Sequence, residues 1–120
     1  VLLAGVQLLL YALPANLEVG SDYLAGPRDE AMPRPLSTRT ARLQRAFDNH
    51  IENLVLFAAA ALAVAVAGKS TGFTAACAWA YLAARVVYVP LYWAGVPYLR
   101  SAVWAVGWVA TMAMAAAALL

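Results

Sequence analysis

Arg45-Ala46-Phe47-Asp48-Asn49-His50-Ile51-Glu52 opens directly onto Asn53-Leu54-Val55-Leu56-Phe57-Ala58-Ala59-Ala60, so one helix carries a polar cluster and a long apolar run. At 100° per residue, the i, i+4, i+7 spacing confines Arg45, Asn49 and Glu52 to about 60° of a single helix face. The run that follows, to residue 67, is apolar all round instead of along one stripe, which predicts a helix in lipid rather than one lying on a water-exposed core. Charged side chains at the centre of such a helix cost about 2.5–3.5 kcal/mol on insertion scales and persist where they are paired or used. This helix carries a polar site into the membrane.

Composition agrees. Of 120 residues, 65% are hydrophobic and 12% charged, against about 25% charged in soluble domains, which identifies an integral membrane protein of one small domain, residues 1–120. A net charge of +2 with few basic residues leaves no nucleic-acid footprint. Cys77 is the one cysteine, so a disulfide framework within the chain is excluded and the residue reads as small packing. His50 has no second ligand at metal spacing, so no metal site is expected; its ordinary reading is a hydrogen-bonded residue at the interface.

Four apolar segments are marked. Residues 1–15 fall short of the roughly 20 needed to cross a bilayer, and a start at Val1 without an initiator methionine reads as a truncated first span. Residues 16–37 form a hydrophilic loop, with Gly20, Gly26, Pro27, Pro33 and Pro35 among charges that include Arg28, Asp29, Glu30 and Arg34. Ser37 or Thr38 caps the second span, 38–67, and Gly68 suits the left-handed position that ends it. At 1.5 Å per residue this helix is about 45 Å long, so its first turns project beyond a ~30 Å hydrocarbon core. The third and fourth spans, 73–94 and 98–120, are separated by a short turn around Gly95; Pro90 should kink the third. Short connections make sequential helices antiparallel, giving an all-α four-helix transmembrane bundle, and the alanine-rich stretches predict close packing through small side chains.

Arg28, Arg34, Arg39 and Arg42 around the first loop and Arg100 at the third turn outweigh Lys69 at the second. The positive-inside rule then places loops one and three, and the polar site, on the cytoplasmic side, with both termini opposite. The third span adds a second constellation: Arg85, Tyr88 and Tyr92, with Tyr81, share about 60° of one face. Arg85 lies too deep for easy access to water and needs a partner, for which Glu52 on the preceding antiparallel helix is the obvious candidate.

The ordered motifs R-A-F-D-N-H-I-E-N at residues 45–53, A-R-V-V-Y-V-P-L-Y at residues 84–92 and Arg100-Ser101 resemble the MAPEG family, the membrane-associated proteins in eicosanoid and glutathione metabolism. The resemblance spans about residues 37–105 and suggests a bacterial-type member in the inner membrane. It implies a homotrimer of four-helix subunits with glutathione as cosubstrate bound between neighbours near the cytoplasmic face. Carried over by position, Arg45, Asn49, Glu52, Arg85, Tyr88 and Tyr92 are glutathione contacts, and Arg100 activates the thiol with Ser101 beside it. The Tyr92 to Arg100 spacing departs slightly from the eicosanoid enzymes, and Asn53 stands where some members carry an aromatic.

The chemistry fits independently of the name. Two carboxylates and an α-ammonium on glutathione call for guanidiniums and a carboxylate. A thiol of pKa about 8.5 is mostly protonated at neutral pH, and a nearby guanidinium favours the nucleophilic thiolate. Arg100 fills that role, with Tyr92 or Ser101 as hydrogen-bond donor and Arg28 of the first loop in reserve. The expected activity is transfer of glutathione to, or peroxide reduction of, a lipophilic electrophile drawn from the bilayer. The alternatives are a non-catalytic membrane subunit of a larger assembly, whose charges serve packing, and a small transporter, which the lack of repeat symmetry disfavours.

Overall fold

The computed structural model describes residues 1–27 and 35–120. Arg28, Asp29, Glu30, Pro33 and Arg34 of the first loop, and with them the reserve role of Arg28, lie outside the described residues. Four helices are long and apolar enough to cross a membrane: α1 (Leu2–Val19), α3 (Thr38–Val66), α4 (Gly72–Ala94) and α5 (Pro97–Leu119), with a short α2 (Ser21–Ala25) after the first. Together they form the expected four-helix membrane bundle.

Local chemistry sets the ends. Ser37 caps α3 by accepting from the Thr40 backbone N–H at 3.2 Å. At α4, the Thr71 and Thr74 hydroxyls each accept from the other's backbone N–H, at 3.3 and 2.9 Å. Gly68 takes the left-handed conformation foreseen for it, and Gly95 does so at the end of α4, with φ of +66° and +75°. The Val96 N–H then reaches back to the Leu91 carbonyl at 3.0 Å. The α4 helix runs through Pro90 without a break.

The first helix departs from expectation, extending to Val19 where the sequence suggested a loop from residue 16. Its polar end residues are satisfied without leaving the helix. Asn16 donates to the Ala12 carbonyl at 2.8 Å, and the Glu18 carboxylate accepts from the Ser37 N–H at 2.5 Å and from the Thr40 hydroxyl. A carboxylate at the start of α3 also meets the positive end of that helix's dipole.

Helix α1 packs on α3, α3 on both α4 and α5, and α4 most extensively on α5. Small residues allow that last approach: a Cβ at Gly107 would stand 3.7 Å from Ala84 and from the Tyr81 ring. The buried core includes Ala60, Val64, Cys77, Tyr81, Ala110 and Met114, so Cys77 is the packing residue the sequence suggested. Most remaining large apolar side chains face outward, Leu62, Trp79 and Val109 among them, as lipid-facing helices require.

The start of α3, the end of α4 and the start of α5 meet at one end of the bundle. There Arg42 donates to the Trp93 carbonyl at 3.3 Å, supplying a cation to the last turn of α4. The Arg39 guanidinium lies 4.5 Å from the centre of the Trp93 ring.

Candidate functional site

Beside this basic end, α3, α4 and α5 enclose a pocket of about 210 Å³ lined by Asn49, Tyr88, Tyr92, Arg100, Ser101 and Trp104. Five of these six residues were singled out from the sequence, on three helices far apart in the chain. Trp104 was not; it stands one turn beyond Arg100 on the same face of α5, and that i, i+4 spacing was the available signal.

The pocket is walled by cations on aromatic faces. The Arg100 guanidinium, from α5, lies 4.6 Å from the centre of the Tyr92 ring, and Arg45, from α3, stands 5.9 Å from the same ring. Tyr92 meets Tyr88 edge to face, with centroids 5.5 Å apart. Ser101 donates its hydroxyl to the Pro97 carbonyl at 3.1 Å, so its proton is engaged and its lone pairs are what it offers the pocket.

Behind the pocket lies Arg85, 2% exposed. Its Nε donates to His50 Nδ1 at 3.2 Å, its Nη1 donates to Asn49 Oδ1 at 3.0 Å, and its plane sits 4.3 Å from the centre of the Tyr88 ring. This corrects the expected pairing. Arg85 takes two neutral acceptors on adjacent residues of α3 in place of Glu52, because Glu52 points away from α4 and is exposed on the outer surface of the helix. Asn49 is further held by Asn53, whose Nδ2 donates to the Asn49 carbonyl oxygens of main chain and side chain at 2.8 and 3.3 Å.

Of the sequence-derived residues, Asn49, Tyr88, Tyr92, Arg100 and Ser101 thus converge on one pocket. Arg45 sits at its rim, Arg85 stands behind it holding Asn49, and Glu52 lies outside it within one subunit. His50, expected at an interface, is instead buried and takes one end of the Arg85 fork. The sequence signal for it was its place beside Asn49, which lets a single guanidinium reach both. Among the described residues no cluster of metal-ligating side chains is found.

The sequence model of the MAPEG family matches residues 1–120, the whole chain. No curated protein and no solved structure matches it.

Proposed function

The chain belongs to the MAPEG family, and from that premise we propose that it is a glutathione-dependent membrane transferase or peroxidase acting on lipophilic electrophiles. The observation that carries this reading is the convergence of Asn49, Tyr88, Tyr92, Arg100 and Ser101 on one polar pocket at the basic end of an otherwise apolar bundle.

The residue types suit a thiol tripeptide. Arg100 and Arg45 offer guanidiniums to its carboxylates or sulfur, and Asn49, fixed in orientation by Arg85 and Asn53, offers an amide. Arg85 acts as a positioning residue, since it lies buried with Nε bonded to His50 and Nη1 to Asn49. Arg100 favours the thiolate electrostatically, and with the Ser101 proton on Pro97, the Tyr92 hydroxyl is the better neutral donor to sulfur. In conjugation the thiolate sulfur bonds to the electrophilic carbon as the leaving group departs with its electron pair, and the thiol proton passes to water. In peroxide reduction the sulfur attacks a peroxide oxygen, the alcohol leaves, and a second glutathione completes the disulfide with release of water.

A pocket of about 210 Å³ is below the roughly 300–1,000 Å³ of small-molecule sites. A second copy of the chain packed over the outer face of α3 would complete the wall and cover Glu52, whose carboxylate then meets the α-ammonium; the homotrimer implied by the family resemblance would supply such a neighbour to each site. By the positive-inside rule the arginines put this end of the bundle on the cytoplasmic side, and the family resemblance favours a bacterial inner membrane as its setting.

The Arg85 cluster with Asn49 and His50 forms within one subunit and ties α3 to α4, which favours one other reading, a non-catalytic membrane subunit whose charges serve packing. Purified protein assayed with glutathione and 1-chloro-2,4-dinitrobenzene, and separately with cumene hydroperoxide, distinguishes the two. Saturable turnover in either assay supports the enzyme; no turnover together with no saturable glutathione binding supports the subunit.

A further inference from the structure

Where the start of α3 meets the end of α4, two guanidiniums are anchored to one residue. Arg39 rests on the face of the Trp93 ring, 4.5 Å from its centre, and Arg42 Nη1 donates to the Trp93 carbonyl at 3.3 Å. Arg42 is also held flat. A Cβ built on Gly95 would stand 2.8–2.9 Å from Cζ and both terminal nitrogens of that guanidinium, so its plane faces the turn and its N–H groups, which lie in the plane, point past it.

These contacts fix the two side chains without neutralising them, because a ring face and a carbonyl carry no formal charge and no carboxylate pairs with either arginine among the described residues. A guanidinium has five N–H donors; within the chain Arg42 spends one of them and Arg39 only its face. Nor does the local helix call for Arg39, which stands in the first turn of α3, where the dipole favours anions.

Their level in the membrane follows from Trp93. It lies in the last turn of α4, a helix of 23 residues, about 34 Å at 1.5 Å per residue, which reaches the edge of a ~30 Å hydrocarbon core. Trp93, Tyr98 and Leu99 are exposed at this end, as aromatic residues are at a membrane–water boundary. Lipid phosphates lie just outside that boundary.

We propose that Arg39 and Arg42 form a binding site for the phosphate of an anionic phospholipid in the leaflet at this end of the bundle, its two free oxygens accepting from the two guanidiniums. Paired, pre-oriented forks suit a phosphate diester, and basic clusters at the ends of membrane helices recognise such headgroups. Neither arginine nor Trp93 lines the pocket of Tyr92 and Arg100, so the site stands or falls without the thiol chemistry.

The test is native mass spectrometry of the delipidated protein in mild detergent, titrated with phosphatidylglycerol or with phosphatidylcholine of the same acyl chains. The anionic lipid should bind about ten- to thirtyfold more tightly, near fivefold for each arginine. Arg39→Gln with Arg42→Gln should bring the two lipids within about twofold, while Lys69→Gln, at the opposite end of α3, should keep the wild-type preference. Arg39→Gln alone gives up only a ring contact, so it folds even where the double variant does not, and it should lower the preference about fivefold. Equal binding of the two lipids by the wild type, or a preference lost as fully in Lys69→Gln as in the arginine variants, overturns the proposal. Glycerol 3-phosphate, which has the phosphate without the chains, should bind at least about tenfold more weakly than phosphatidylglycerol; equal binding would mean a site for a soluble anion, and would also overturn it.

Discussion

Replacing Asn49 by leucine probes the network that links the polar pocket to the bundle. Asn49 Oδ1 accepts from Arg85 Nη1 at 3.0 Å and from Asn53 Nδ2 at 3.3 Å, and the first is a bond to a charged donor worth about 1.5–3 kcal/mol. Leucine fills similar space but leaves a buried guanidinium with His50 as its one remaining hydrogen-bond acceptor beside the Tyr88 ring, so Asn49→Leu should cost about 2–3 kcal/mol. Removing the charge as well should relieve much of that loss: the double variant Asn49→Leu with Arg85→Met should be more stable than Asn49→Leu alone by about 1 kcal/mol or more, since an apolar replacement of a buried charge is often neutral. Unfolding by sodium dodecyl sulfate in mixed micelles, followed by circular dichroism, gives the three free energies. Equal stability of Asn49→Leu and wild type, or a double variant whose cost is the plain sum of the two singles, would refute the shared network.

Glu52→Gln should leave the fold of a single subunit within about 0.5 kcal/mol of wild type, because its carboxylate is exposed, yet abolish the rise in melting temperature that glutathione gives the wild type; the same rise in both excludes Glu52 from binding. Gly95→Ala should destabilise by about 1–3 kcal/mol in the same detergent titration, since φ is +75° and the new Cβ would stand 2.8 Å from the Arg42 guanidinium, and wild-type stability would contradict the described turn. Native mass spectrometry in mild detergent should show a trimer as the dominant species, and a dominant monomer would count against a site between subunits.

Helix extents were readable where a boundary has its own chemistry: Ser37 and Gly68 were legible as caps and Gly95 as a turn, whereas the reciprocal Thr71 and Thr74 cap of α4 emerged only in the structure. The end of α1 was hidden too, because Asn16 and Glu18 look like loop residues until their partners at Ala12, Ser37 and Thr40 are known. Face periodicity put Tyr88 and Tyr92 on one side of α4 and the family resemblance added Arg100 and Ser101, but periodicity gives an angle about a helix axis and no rotation between helices. Glu52 and His50 differ by about 160° around α3, and which of them meets Arg85 depends on how α3 is turned against α4. Charge complementarity suggested Glu52; packing delivers His50 and Asn49.

The central claim, that the pocket among α3, α4 and α5 binds glutathione and activates its thiol through Arg100, is tested most directly by titrating the ultraviolet thiolate absorbance of bound glutathione against pH in wild type and Arg100→Ala. A guanidinium near the sulfur holds the thiol below its free value of about 8.5. The thiolate should therefore persist to lower pH in wild type, and the variant's curve should move up toward the free value while turnover falls about tenfold or more and glutathione affinity changes less than about threefold. Superimposable titrations with unchanged turnover would remove Arg100 from thiol activation and contradict the account.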